Sequence, residues 1–194
     1  SQSYEIFIPS IRKVRRFAEP ARDDAWGGSD FTFGDVTLRK PKHDNHELLG
    51  KTKFAGCLGV MKDVKRNKYT QNAKIEADCS VDGKEVYKLK STANTANWWY
   101  DHRISLIDAK TFADYRTEYF KGGKHIKTID RSWVSANLDD PRASYWGYWY
   151  GKTNTTGHET MAFIPSTITK VNHKYKAKNL WSTRTLKKMP KKIK

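Results

Sequence analysis

The sequence predicts a mainly β fold: an antiparallel β-barrel or half-barrel with one short N-terminal helix and a basic C-terminal tail. Strand-like segments, in which apolar and polar residues alternate, fill the middle of the chain. Turn-forming residues recur about every ten residues, which is typical of antiparallel sheets. Helical periodicity is limited to one short segment before residue 20, so we expect strands rather than helices to form the core.

The composition indicates a folded domain in a chain of 194 residues. Hydrophobic residues make up only 37%, but aromatic residues reach 13%, and large rings bury more area than their number suggests. No stretch approaches about 18 apolar residues, so no transmembrane segment is predicted. The sequence has no nucleotide-binding glycine loop, serine nucleophile elbow or paired zinc-type cysteines, so we expect neither a cofactor nor a metal.

Residues 1–30 form a predicted N-terminal basic segment. Ile11, Val14 and Phe17 recur every three residues, which favours a short amphipathic helix between Ser10 and Pro20. The residues of its outer face that we expect to bind anions are Arg12, Lys13, Arg15 and Arg16. The alternative is a solvated face that only keeps the protein soluble.

An antiparallel β domain is predicted for residues 31–180. Strand-like runs cover residues 31–38, 51–62, 68–79, 81–91 and 167–178. The sequence Lys-Gly-Gly-Lys around Gly122 and Gly123 predicts a tight turn between strands at 112–120 and 125–134, because glycine accepts a positive φ.

The chain has two cysteines, Cys57 and Cys79, which a secreted protein could join. Closing the loop between them would stabilise the fold by about 3 kcal/mol in the chain-entropy model. Two buried thiols in a reducing compartment are the alternative. The sequence leaves both interpretations open.

The segment 144–151 holds five large aromatic side chains within six positions. In a strand, Tyr145 and Trp149 would lie on one face and Trp146, Tyr148 and Tyr150 on the other. The predicted ligand or partner platform comprises Tyr145, Trp146, Tyr148, Trp149, Tyr150, Trp98 and Trp99. The alternative is a strand buried on both faces, or one packed at a contact between subunits of a homo-oligomer.

Positive charge is concentrated at the C-terminal end of a chain whose formal net charge is +16. No acidic residue follows Glu159, and a basic tail is predicted over residues 181–194. The residues of this region that we expect to bind anions are Lys174, Lys176, Arg184, Lys187, Lys188, Lys191 and Lys192. Such residues attract phosphate, anionic lipid or an acidic protein surface without choosing among them.

Two histidine-containing segments are weak candidates for chemistry. The run from His43 to Glu47 is the densest set of metal-capable side chains, but Pro41 and Gly50 predict a solvated loop there. Asp101 and His102 lack a nucleophile or a paired acid at a recognisable spacing. We therefore favour a protein without catalytic activity.

Residues 82–124 contain three linked motifs. Gly83-Lys84 and Val86-Tyr87 begin a strand, and a crossing marked by Asp101, Arg103, Ser105, Asp108 and Thr111 leads to a glycine-containing hairpin over 118–124. This combination resembles an exported β-rich domain of unknown function from Gram-negative bacteria. The resemblance implies a periplasmic half-barrel related in shape to lipoprotein carriers, with no assigned activity and no site residues to transfer.

Three functions are compatible with the sequence. The first is a non-catalytic β-barrel that binds an apolar ligand or assembles with a partner, and whose basic ends dock on an anionic surface. The second is a nucleic-acid-associated structural protein, such as a viral coat or ribonucleoprotein component, whose rings stack on bases. The third is an enzyme of barrel-cyclase type without a recognisable motif. We favour the first, in a periplasmic or secreted protein.

Overall fold

The computed structural model describes residues 4–8, 10–18, 20–37, 39–64, 76–166, 169–171 and 181–188. Its strands are β1 (Tyr4–Ile8), β2 (Lys13–Phe17), β3 (Asp44–Lys53), β4 (Glu85–Ala93), β5 (His102–Asp108), β6 (Asp114–Lys121), β7 (Lys124–Ser135), β8 (Ser144–Thr153) and β9 (Glu159–Phe163). Its helices are α1 (Phe33–Val36), a 3-10 turn (Pro41–His43) and α2 (Thr183–Lys188). None of the helices in these ranges is long and apolar enough to cross a membrane.

Seven strands form one antiparallel sheet in the order β3-β4-β5-β6-β7-β8-β9. Each strand pairs with its successor in the chain, as in a meander. Gly122 and Gly123 make the β6–β7 turn with φ of 56° and 74°, as the sequence predicts. Within the described strands, β3 and β9 lie at opposite edges and do not pair, so the sheet is open. The prediction of a mainly β, antiparallel fold is confirmed.

Chain segments cover both faces of this sheet. Successive residues of a strand point to opposite faces, so neighbours such as Trp149 and Tyr150 join different clusters. The first face is covered by the β3–β4 connection and includes Phe54, Leu58, Val81, Val86, Tyr115, Tyr148 and Tyr150. The second face is covered by residues 31–36 and 98–100 and includes Phe31, Tyr100, Tyr119 and Ile129.

The β3–β4 connection is tied to the first face by a disulfide and a buried carboxylate. Cys57 and Cys79 form the disulfide, which closes the connection on itself. Asp130 of β7 is 1% exposed and accepts hydrogen bonds from the Gly59 backbone N–H at 2.6 Å and from Arg116 Nε and Nη2, each at 2.7 Å. The paired guanidinium compensates the cost of burying this charge.

The N-terminal segment is a β-hairpin, so the prediction of a helix between Ser10 and Pro20 is wrong. Strands β1 and β2 pair antiparallel, with Tyr4 opposite Phe17 and Ile8 opposite Lys13. The period-three pattern predicts a helix only when it is taken alone, because residues 4–8, which are rich in β-branched and aromatic side chains, supply a partner strand. Pairing gives residues 13–17 backbone hydrogen bonds that compete with those of an isolated helix.

Other local predictions also need correction. The strand predicted for 31–38 is interrupted by α1, where Asp35 Oδ2 accepts the Thr32 N–H at 2.8 Å. In place of the strand predicted for 51–62, β3 begins at Asp44 and ends at Lys53. The loop predicted for 43–47 is therefore wrong: His43 ends a 3-10 turn and residues 44–47 begin this strand. Most of the runs at 68–79 and 167–178 lies outside the described residues.

The predicted basic tail begins instead with the helix α2, which packs on the N-terminal hairpin. Thr183 Oγ1 donates a hydrogen bond to Glu5 Oε2 at 2.7 Å. Two features stabilise this helix: Ser182 Oγ accepts the Thr185 N–H at 3.1 Å at its start, and two lysines occupy its last turn. Residues 189–194 lie outside the described residues.

Candidate functional site

The aromatic strand β8 is packed on both faces and does not present an exposed platform. Tyr148 and Tyr150 are each 8% exposed. The Tyr150 hydroxyl donates to Glu159 at 2.6 Å, and Tyr148 accepts the Asp78 N–H at 3.1 Å. On the other face, the Arg131 guanidinium lies 4.3 Å from the Trp149 ring centroid. Covering segments on both sides of the sheet thus place these rings in the core.

The remaining predicted platform residues are half-buried. Tyr145 and Trp146 lie at the start of β8, and the Trp146 ring is 5.8 Å from that of Trp149. The Trp98 and Trp99 rings are in contact in the β4–β5 connection, with 4.3 Å between their centroids and a tilt of 38° between their planes. The structure therefore does not bring the seven predicted rings together into one surface.

An open cleft lies between the N-terminal hairpin and the segment that leads into α1. Its volume is about 750 Å³. We call it the apolar cleft; its lining residues are Tyr4, Glu5, Ile6, Ala18, Pro20, Trp26, Gly27 and Phe33. Ile6 is 52% exposed and Trp26 is 45% exposed. Large apolar side chains that converge on an open concavity are typical of a binding site.

Phe33 lines this cleft and contacts two other aromatic rings of its wall. The Trp26 ring lies 5.0 Å from Phe33 and the Tyr4 ring 6.1 Å from it, both edge-on. A tight turn brings Trp26 into place: its N–H donates to the Phe31 carbonyl at 2.7 Å, and Gly27 and Gly28 have φ of 58° and 74°. Side chains would strain this turn, since few residues other than glycine adopt such angles.

A buried ion pair fixes α1, and with it Phe33, on the second face of the sheet. Asp35 has a fully buried side chain that accepts from Lys127 Nζ at 2.5 Å and from the Tyr119 hydroxyl at 2.7 Å. Burial raises the pKa of Asp35, but the charge and hydrogen bond of Lys127 and the hydrogen bonds from Thr32 and Tyr119 outweigh it, so the net pKa is lowered. The carboxylate therefore stays ionised beside its lysine.

Glu5 is the acidic residue among the described residues that line the apolar cleft, and its carboxylate pairs with residues that do not line it. Arg16 Nε lies 2.7 Å from Glu5 Oε1, and Thr183 donates to the other oxygen. The hydrogen bond from Thr183, followed by that from Arg16, lowers the pKa of Glu5. The carboxylate has its partners outside the cleft, which leaves the wall predominantly apolar.

A second, polar cleft of about 490 Å³ adjoins the first, since Pro20 lines both. We call it the polar cleft; its other lining residues are Ala21, Arg22, His43, Thr95 and Trp98. His43 Nδ1 accepts the Lys40 N–H at 3.3 Å. Burial, followed by the positive charge of Arg22, lowers the pKa of His43. Because Nδ1 accepts this hydrogen bond, the ring proton that can be donated lies on Nε2.

The basic residues predicted to bind anions fall into two described groups. Arg12, Lys13, Arg15 and Arg16 are exposed on the hairpin, in its turn and along β2. Arg184, Lys187 and Lys188 lie on α2, which packs beside that hairpin. Lys174, Lys176, Lys191 and Lys192 lie outside the described residues. Folding thus brings the N-terminal basic segment close to the C-terminal one.

The apolar cleft is not predicted by any local pattern in the sequence. Trp26 and Phe33 are not part of any aromatic run, and they meet Tyr4 and Ile6 only because the hairpin folds against the segment before α1. The alternation of apolar residues in 4–8 and the Trp-Gly-Gly turn at 26–28 were the signals available in the sequence.

Solved structures with a similar fold come from Gram-negative bacteria. A candidate outer membrane lipoprotein-sorting protein domain from Vibrio parahaemolyticus has a TM-score of 0.59 and 16% identity, over 94% of this chain and 65% of that chain. A DUF1329 family protein from Desulfovibrio piger has a TM-score of 0.57 and 12% identity, over 94% of this chain and 63% of that chain. This chain thus spans less than two thirds of either structure.

A LolA superfamily protein from Nitrosomonas europaea has a TM-score of 0.48 and 14% identity, over 86% of this chain and 66% of that chain. A family described as "Uncharacterized protein" matches residues 2–60. No curated protein matches the sequence. The resemblance predicted from residues 82–124 is confirmed at the level of the fold: this chain shares its architecture with the Vibrio lipoprotein-sorting domain and the Desulfovibrio DUF1329 protein.

Proposed function

We propose that this protein is a non-catalytic, exported β domain that binds an apolar chain in the apolar cleft. The observation that carries the proposal is the cleft itself, where Tyr4, Ile6, Trp26 and Phe33 surround about 750 Å³ of open space. A chain seated there would cover the exposed parts of Ile6 and Trp26. Removing such surfaces from water is favourable by about 25 cal/mol per Å² of apolar area.

The fold supports an apolar ligand as well. The Vibrio structure is described as a lipoprotein-sorting domain, and lipoproteins carry acyl chains. The sheet of the present chain has its own covers on both faces, with buried polar groups such as Asp130 and Arg131 between its strands and those covers. We therefore place the ligand in the cleft beside the hairpin rather than within the sheet.

An oxidising compartment fits the disulfide. Bonds such as that between Cys57 and Cys79 persist in the bacterial periplasm and outside the cell, and are rare in the reducing cytosol. The fold neighbours come from Gram-negative bacteria. Both observations support export to the periplasm.

The basic residues beside the cleft support docking on an anionic bilayer. Lys13 and Arg15 of the hairpin and Lys187 of α2 are close enough in the fold to act together, because α2 packs on β1 and β2. Basic residues near an anionic membrane surface each contribute about 1 kcal/mol. Docking there would bring the open cleft next to a source of acyl chains.

Binding of dodecan-1-ol, measured by calorimetry below its solubility limit, tests the apolar cleft. Trp26→Ala should weaken binding about tenfold or more, because it removes one wall of the cleft. Trp181→Ala is the matched control: this tryptophan is 83% exposed and does not line the cleft, so its loss should leave the affinity unchanged. If the wild-type protein does not bind the alcohol, or if both variants bind it as tightly as the wild type, the proposal is wrong.

Co-sedimentation with vesicles tests the docking step. The protein should bind vesicles that contain phosphatidylglycerol, and binding should fall as salt screens the charges. Vesicles of phosphatidylcholine should bind poorly. Lys13→Glu combined with Arg15→Glu should weaken binding to the anionic vesicles. If the protein binds an oligonucleotide more tightly than these vesicles at equal salt, the result supports the nucleic-acid alternative and the proposal of membrane docking is wrong.

A further inference from the structure

The apolar and polar clefts form one continuous depression. Pro20 lines both of them, with Ala18 on the apolar side and Ala21 and Arg22 on the polar side. Residues 18 and 20–22 thus lie along the boundary between the two clefts. A ligand with an apolar chain in the first cleft would therefore place its end group within reach of the second.

The described lining of the polar cleft contains a basic residue and a histidine. Arg22 lines it, and none of the described lining residues is acidic. Arg22 and His43 both line this cleft, so the two side chains lie near each other. A negatively charged group in this cleft would meet a guanidinium and an imidazole N–H.

Some buried hydrogen-bond donors near this cleft have no acceptor in the described structure. The Trp98 Nε1–H is buried and has no hydrogen-bond partner within the described structure; the same holds for Arg39 Nη2 and Arg103 Nε. These two arginines share one carboxylate, that of Asp44, at 3.3 Å each. The group therefore has a net positive charge, and buried donors without acceptors are costly unless a ligand supplies the acceptors.

We infer that the ligand is an anionic amphiphile: a single apolar chain that lies in the apolar cleft and ends in a carboxylate or phosphate held in the polar cleft by Arg22, His43 and Trp98. This inference rests on the proposed function, since it assigns the end group of the same ligand. Charge-assisted hydrogen bonds from a guanidinium to such an oxyanion are stronger than those between neutral groups. The head group thus determines the specificity of binding, while burial of the apolar chain contributes to the affinity.

The test compares dodecanoate with dodecan-1-ol, which share a chain of one length and differ in the charge of the end group. The wild-type protein should bind dodecanoate about tenfold more tightly than the alcohol. Arg22→Gln and Trp98→Phe should each reduce that preference, the second because phenylalanine keeps a ring but lacks the N–H. Arg142→Gln is the control, since this arginine pairs with Asp140 in the β7–β8 turn and lines neither cleft.

The outcomes separate this inference from the proposed function. Preference for dodecanoate that is lost in Arg22→Gln and kept in Arg142→Gln supports the inference. Equal binding of the acid and the alcohol by the wild type and all variants overturns the inference and leaves the proposed function standing. If neither compound binds, both fail. Because binding of dodecan-1-ol should survive in Arg22→Gln, it also shows that this variant is folded.

Discussion

Replacing Asp35 with asparagine should destabilise the protein strongly, because the change leaves Lys127 buried without a counter-charge. The Lys127 side chain is 7% exposed and that of Asp35 is 0% exposed, with 2.5 Å between Nζ and Oδ2. Removing one member of a buried pair costs about 3–5 kcal/mol. For a chain of this size, a loss of that magnitude lowers the melting temperature by roughly 6–20 °C.

Thermal and urea unfolding, followed by circular dichroism, measure this loss. Glu85→Gln is a matched control: it removes the carboxylate from an ion pair with Lys51 at 2.8 Å, but the side chains are 50% and 60% exposed. Exposed pairs contribute little to stability. A second variant, Asp35→Asn with Lys127→Met, should recover part of the loss, since it removes the buried charge that the first change leaves unpaired.

The pair of Asp35 and Lys127 should also make the stability of the protein depend on pH. The folded pKa of Asp35 is lowered from its ordinary value of 3.8, so its contribution to stability is present above that value and is lost as the pH falls through the folded pKa. Asp35→Asn should remove this part of the acid sensitivity. The reasoning is refuted if Asp35→Asn costs no more than Glu85→Gln, or if the double variant is less stable than Asp35→Asn alone.

Three further predictions concern the covers and the cleft. Cys57→Ser with Cys79→Ser should reduce the free energy of unfolding by about 3 kcal/mol in urea; identical unfolding of the wild type with and without reductant would contradict this. Gly59→Ala should lower stability by about 1–3 kcal/mol in the same assay, because a Cβ there would overlap the buried Tyr150 ring and force it to move; an unchanged urea midpoint would show that the ring yields freely. In a series of alkanols from eight to twelve carbons, affinity should rise about fourfold per methylene, since burial of each methylene is worth about 0.8 kcal/mol. An affinity independent of chain length would rule out binding of the chain in the apolar cleft.

The central strands could be predicted from the sequence because their evidence is local. In β6 and β7, apolar and polar residues alternate on either side of the turn at Gly122 and Gly123, and this pattern is sufficient to define a hairpin. In the aromatic run, the same alternation predicted a strand with rings on both faces. It gave no information on what would cover those faces, so Tyr148 and Tyr150 were predicted as platform residues although they are buried.

The N-terminal region and the candidate site depend on contacts between distant segments. Asp35 and Lys127, which fix Phe33 of the apolar cleft, are 92 residues apart. The cleft itself needs the hairpin to fold against the segment that contains Trp26 and Phe33. The spacing of residues within one segment gives no information on contacts between distant segments. For the same reason, the period of residues 11–17 taken alone favours a helix, although residues 13–17 form a strand.

The hairpin that walls the apolar cleft is a separate two-stranded sheet. Within the described chain, no ladder of backbone hydrogen bonds joins it to the seven strands, and its neighbours hold it by side-chain contacts such as that between Tyr4 and Phe33. A shift of the hairpin would therefore disturb side-chain contacts, including the hydrogen bond between Thr183 and Glu5, but would not break a strand pair of the seven-stranded sheet. Under the proposed function, the wall formed by the hairpin could move to fit ligands of different width while the seven-stranded sheet keeps its register.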